Sequence, residues 1–62
     1  MLLRKIEVFL RRTEMTPSEF GRQVAHDPSF VFDLRRGRTP GPRMQAQAEH
    51  FMNIYWETSH AN

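Results

Sequence analysis

Cysteine is absent from this 62-residue chain, which excludes disulfides and thiolate metal sites and leaves the redox compartment open. Its three histidines, His26, His50 and His60, show no close pairing such as a His-x-x-x-His step. They read as ordinary surface or turn residues, and no metal or cofactor is expected. Long apolar runs are missing too: the N-terminal MLLRKIEVFLRR is interrupted by charge throughout, too often for a signal-peptide core or a membrane span. A soluble, cytoplasmic protein is the expectation. There is no internal repeat or low-complexity segment, and no stretch alternates with period two for long enough to make a strand. An all-α fold follows.

What is present is a small, basic, helix-patterned domain. A chain of this length buries only about 60% of the surface its unfolded form exposes. Without disulfides or metals, oligomerisation or well-packed helices must compensate. Nine basic residues face seven acidic ones, a modest +2, and their placement says more than the total. Arg4, Lys5, Arg11 and Arg12 cluster near the start with only Glu7 among them. Arg35, Arg36, Arg38 and Arg43 follow in a stretch free of acids between Asp33 and Glu49. Two basic patches on one small domain point to a polyanion, with a solvated face as the plainer alternative.

Helical period and punctuation divide residues 1–58 into four helices. In the first, about 2–13, Leu2, Leu3, Ile6, Phe9 and Leu10 share one side and Val8 points outward; Met15 then anchors the connection. TPSEF starts a second helix, about 17–25, with Thr16 as cap, Pro17 at the first helical position and Glu19 completing a capping box. Phe20, Gly21 and Val24 face inward. DPSF repeats the device with Asp27 and Pro28, giving a third helix over 28–36 that buries Phe30, Val31 and Leu34 and ends at Gly37. A fourth helix, about 42–58, carries a stripe of Met44, Ala48, Phe51, Met52 and Tyr55. Ile54 and Trp56 lie on opposite flanks of that stripe, roughly 160° apart at 100° per residue. One packing surface hardly covers both. Residues 59–62, SHAN, read as a frayed, disordered tail.

The short connection between the second and third helices is the length that sets two helices at a steep angle. Here the chain resembles the lambda-repressor-like helix-turn-helix family of phage and bacterial regulators. Phe20-Gly21, Ala25, His26, Asp27, Val31, Leu34 and Gly37 match the family spacing without insertion, and the resemblance runs from the first helix to about Phe51. The family's turn glycine falls on Ala25, its buried apolar position on His26 and its serine on Asp27. An alanine there is costly if the turn needs a positive φ. Gly21 replaces a small alanine, which permits close helix contact while weakening the second helix by about 1 kcal/mol. The resemblance implies a compact bundle of four helices, five at most, that binds double-stranded DNA with the third helix in the major groove.

By position, Ser29, Phe32, Asp33 and Arg36 would then read bases. Ser29 can donate or accept, Phe32 can meet a thymine methyl, and Asp33 can accept from cytosine N4. Pro17 and Ser18 at the start of the second helix, with Pro28, Arg35, Arg38 and Arg43, would hold the sugar–phosphate backbone. Arg43 is also placed to enter a minor groove. A lone module of this size binds weakly, so a homodimer on DNA is expected, with Ile54 or Trp56, joined by Met52 and the outward Val8, as its interface. The plainer fate for Trp56 is to fold back over the bundle's edge.

A transcriptional regulator is therefore one reading. The alternative is a protein-interaction adaptor, in the transcription machinery or elsewhere, docking through Phe32, Ile54 and Trp56. RNA binding is weaker, since there is no aromatic-bearing sheet or arginine-rich tail. An enzyme is weaker still: no nucleophile, base and orienter are suggested by spacing, and four short helices leave little room for a pocket.

Overall fold

The computed structural model describes residues 1–59, with the side chains of residues 58 and 59 left out of the description. Four helices follow in order: α1 (Leu2–Thr13), α2 (Pro17–Ala25), α3 (Phe30–Arg35) and α4 (Pro42–Ser59). The described residues contain no strand. α1 and α2 have the expected limits. α4 runs into Ser59, so the expected tail begins within a helix; the rest of it, residues 60–62, lies outside the described residues.

α1 ends at Glu14, which adopts the left-handed region (φ 61°), while Thr13 Oγ1 donates back to the Phe9 carbonyl at 2.8 Å. α2 starts at the expected cap: Thr16 Oγ1 accepts from the Glu19 N–H at 3.1 Å, and Pro17 needs no donor in the first turn. The Glu19 carboxylate, however, accepts from Gln23 Nε2 at 3.3 Å and does not close the capping box. Its end corrects the expected turn. The left-handed residue is His26 (φ 54°) and not Ala25, which stays helical. His26 is exposed there rather than partly buried, and its N–H donates to the Arg22 carbonyl at 3.1 Å. The chain thus places its turn one residue later than the family's glycine would, and Ala25 avoids the positive φ.

α3 is shorter than the expected 28–36. Asp27 does not cap it: the N-cap is Ser29, without a side-chain bond, and Asp27 Oδ1 instead accepts from the Ser29 N–H at 2.9 Å in the turn before the helix. The next bond, Phe30 N–H to the Asp27 carbonyl, spans three residues rather than four. Pro28 and Ser29 consequently form a tight turn, and the α-helical pattern begins at Phe30. At the other end Gly37 takes φ 106°, and Arg38 N–H reaches the Asp33 carbonyl while Gly37 N–H reaches that of Leu34, both at 3.1 Å. Only glycine adopts that conformation without strain, so Gly37 ends the helix as expected.

The core joins Ile6, Phe9 and Leu10 of α1, Phe20 and Val24 of α2, Phe30, Val31 and Leu34 of α3, and Ala48 and Met52 of α4. Leu2, Leu3, Met15, Met44, Phe51, Tyr55 and Trp56 pack around it. Phe9 is the hub. Its ring meets those of Phe20, Phe51, Tyr55 and Trp56 edge-on, with centroids 5.1–6.1 Å apart. α2 packs most extensively on α3. That approach depends on Gly21. The Asp27 N–H donates to the Gly21 carbonyl at 3.1 Å, and the Asp27 carbonyl oxygen occupies the space a Cβ at position 21 would need. α4 is tied across the bundle by Gln47, whose Nε2 donates to the Val24 carbonyl at 2.8 Å.

Candidate nucleic-acid interface

With Phe30, Val31 and Leu34 turned into the core, the outward side of α3 carries Phe32, Asp33, Arg35 and Arg36, preceded by Pro28 and Ser29 on the turn. Pro28, Ser29 and Arg36 are exposed. Phe32 is 38% exposed, and the Arg35 guanidinium stands 5.6 Å from its ring centroid. The phenyl is thus outside the buried core, with Arg35 over its ring and part of it exposed.

The arginines are less free than their spacing implies. Arg35 is committed to α1: its Nε and Nη2 donate to the two carboxylate oxygens of Glu7, each at 2.8 Å. This fork-to-fork pair fixes the end of α3 to the middle of α1. The bonded guanidinium holds the Glu7 carboxyl below the ordinary glutamate range, Arg11 adds to the effect, and partial burial pushes the other way. Asp33, half-buried, takes Arg38 at 3.1 Å and Arg36 at 3.7 Å. Its Oδ2 is hydrogen-bonded by Arg38, and its Oδ1 has Arg36 nearby as an ion-pair partner only. Among the described residues, Arg43 is the one arginine of the four around α3 and its loop with no acidic partner.

The start of α2 comes close to the end of α3. Pro17 lines a shallow concavity with Arg35, Glu7, Leu10 and Arg11. Ser18 is half-buried beside Pro17 in the first turn of α2. Arg11 was assigned no role in the sequence beyond its basic cluster, and Glu7 none beyond its contrast with that cluster. The Glu7–Arg35 pair joins residues 28 positions apart, and nothing local in the sequence announces it.

The expected dimer surface is redrawn. Met52 is 6% exposed and belongs to the core, because the α4 stripe that carries it packs against α1 and α2. Trp56 is half-buried against Phe9 and Tyr55, its ring 5.7 Å and 6.4 Å from theirs, so it does fold back over the bundle. Ile54 is the most exposed of the expected residues, at 45%, with Val8 at 39%.

Among the described residues there is no group of three metal-ligating side chains, and no helix is long and apolar enough to cross a membrane. Comparison with family models, curated proteins and solved structures finds no match to the chain.

The Glu7–Arg35 pair predicts an acid-side loss of stability. Pairing puts the folded pKa of Glu7 below its unfolded value, so the contribution is present above the ordinary glutamate range and lost as pH falls through the folded pKa. The melting-temperature gap between wild type and Glu7→Gln should therefore be widest near neutrality and close in acid. Thermal melts across a pH series check this. A gap unchanged at low pH would show that the pair contributes nothing to it.

Proposed function

We propose that this chain is a sequence-specific DNA-binding regulator that lays the outer side of the 28–36 segment in a major groove. The observation that carries the reading is the mounting of α3. A short helix with an open outer side is pinned at its start by the Asp27–Gly21 seat and at its end by the Glu7–Arg35 fork. Rigid presentation of this kind reduces the ordering cost of binding.

In this reading Ser29, Phe32 and Arg36 face base edges, and Arg43 meets the backbone. Arg38 and the first turn of α2 stand beside it. Asp33 has a different part from the one its position implies. It screens Arg36 and Arg38, and so moderates affinity for every sequence alike. Two copies on half-sites about one helical turn apart would supply the affinity a lone module lacks. Of the residues expected at a dimer interface, Ile54 is the most exposed.

Fluorescence anisotropy on duplexes across a salt series tests the assignment. Arg43→Ala should weaken binding to all sequences and lower the slope of log K against log salt by about 1. Ser29→Ala should instead change which duplex is preferred. Asp33→Asn should strengthen binding generally by releasing Arg36 and Arg38. Equal losses for every variant on every duplex would contradict the placement of α3. Absence of binding at low salt would contradict DNA as the partner.

A further inference from the structure

The side of α1 turned away from α3 holds a groove that the DNA reading leaves unused. It measures about 370 Å³ and lies between α1 and α4. Val8, Phe9, Met52 and Trp56 make its apolar floor, and Arg4, Lys5 and Arg12 stand at its edges. Val8 is 39% exposed, an unusual place for a β-branched aliphatic side chain on a helix whose other large apolar residues all pack inward. Among the described residues Arg4 and Arg12 have no acidic partner, and no acidic side chain lines the groove. Lys5 has Glu49, at 3.7 Å and largely in solvent. On the helical wheel Val8, the middle of the groove's α1 lining, is roughly 100° from Glu7, so groove and α3 contact occupy different sides of α1.

We propose that this groove docks an acidic amphipathic helix from a partner protein. Arg4, Val8 and Arg12 follow one another at i, i+4 and i+8, a stripe about 12 Å long at 1.5 Å per residue. An incoming helix of two to three turns matches that length. Its leucine or phenylalanine side chains cover Val8 and the exposed part of Trp56, and its flanking carboxylates meet Arg4 and Arg12. Charge complementarity selects this occupant over the two nearest competitors. A second copy docked across a two-fold axis would set Arg4 and Arg12 against their own counterparts while losing water around them. A nucleic-acid backbone satisfies the arginines but offers nothing apolar to the floor.

Trp56 is the only tryptophan in the chain and forms part of the floor, so its fluorescence reports occupancy directly. The probe is a synthetic acidic peptide of about three helical turns, with leucines at i, i+4 and i+7 and glutamates on both flanks. A scramble of the same composition serves as control. The full chain should give a saturable change in Trp56 emission with the peptide and none with the scramble. Val8→Glu should weaken binding by about tenfold or more, and so should the Arg4→Glu, Arg12→Glu double variant. All three positions are exposed, and circular dichroism verifies that the helices persist. Binding of Val8→Glu to duplex DNA should be unchanged, which separates this surface from α3. An equal response to the scramble, or no saturable change, overturns the proposal. So does a Val8-dependent dimer in sedimentation, which gives the groove to a second copy, or displacement of the peptide by duplex DNA.

Discussion

Phe9→Ala is expected to abolish cooperative folding at physiological temperature. Phe9 is 2% exposed and touches four other rings, drawn from α2 and α4. Truncating a buried phenylalanine costs about 3–5 kcal/mol, and edge-to-face partners add to that loss. A 62-residue domain has only roughly 3–9 kcal/mol in total at the usual stability per residue. No disulfide makes up the difference. Urea titration followed by circular dichroism should show a sloping, non-cooperative baseline. Phe9→Leu, which keeps most of the volume and loses the ring edges, should retain a transition at lower urea. A Phe9→Ala protein melting within a few degrees of wild type would mean that the aromatic cluster does not hold the bundle together.

Gly21→Ala is the second large effect, and its sign runs against helix propensity. In an exposed helix the change would stabilise by about 1 kcal/mol. At position 21 the added methyl meets the Asp27 carbonyl oxygen, part of the backbone, and then Phe30 Cβ at 3.1 Å. Neither gives way cheaply. Asp27 is held by its N–H bond to the Gly21 carbonyl, and Phe30 is 4% exposed in the core. Forcing α3 off α2 should cost about 2–3 kcal/mol net. Because the Asp27 turn carries Ser29, DNA binding should fall further than stability alone predicts. The control is Gly41→Ser, where nothing lies within 4 Å and the Gly41 carbonyl accepts the first α4 bond from Gln45. A serine cap there should be neutral or better by a few tenths of a kcal/mol. Equal melting temperatures for Gly21→Ala and Gly41→Ser would remove the close approach from the account.

The helices were legible because their ends are written in local chemistry. Thr16-Pro17 and Gly37 act within a turn of where they stand, and the apolar period of α1, α2 and α3 names the core residues that those helices bury. The start of α3 was harder. Asp27 and Pro28 make an equally good helix start or tight turn, and only the seating of the Asp27 carbonyl on Gly21 selects the turn. His26 follows the same pattern: the left-handed residue is decided by where α3 must begin, not by which residue prefers that region. Met52 fits both the α4 stripe and an interface, and the stripe prevails because α4 packs it into the core shared with α1 and α2. The side chains around α3 were the least legible. Arg35 reads as a phosphate ligand until its partner 28 residues away is known, and Asp33 as a base acceptor until two arginines close on it. The Glu7–Arg35 pair is long-range and leaves no periodic trace, whereas Arg36 three residues after Asp33 is a local helix pairing that the sequence already displays.

Selection of bound duplexes from a random DNA library, carried out with the full chain at two salt concentrations, addresses the central claim most directly. A DNA-reading α3 predicts enrichment of a short motif, weaker retention at the higher salt, and a shift of the motif in Ser29→Ala. Two copies of that motif in inverted orientation, about one helical turn apart, would also report the dimer. A library that leaves the column unenriched at low salt would contradict DNA recognition by this domain.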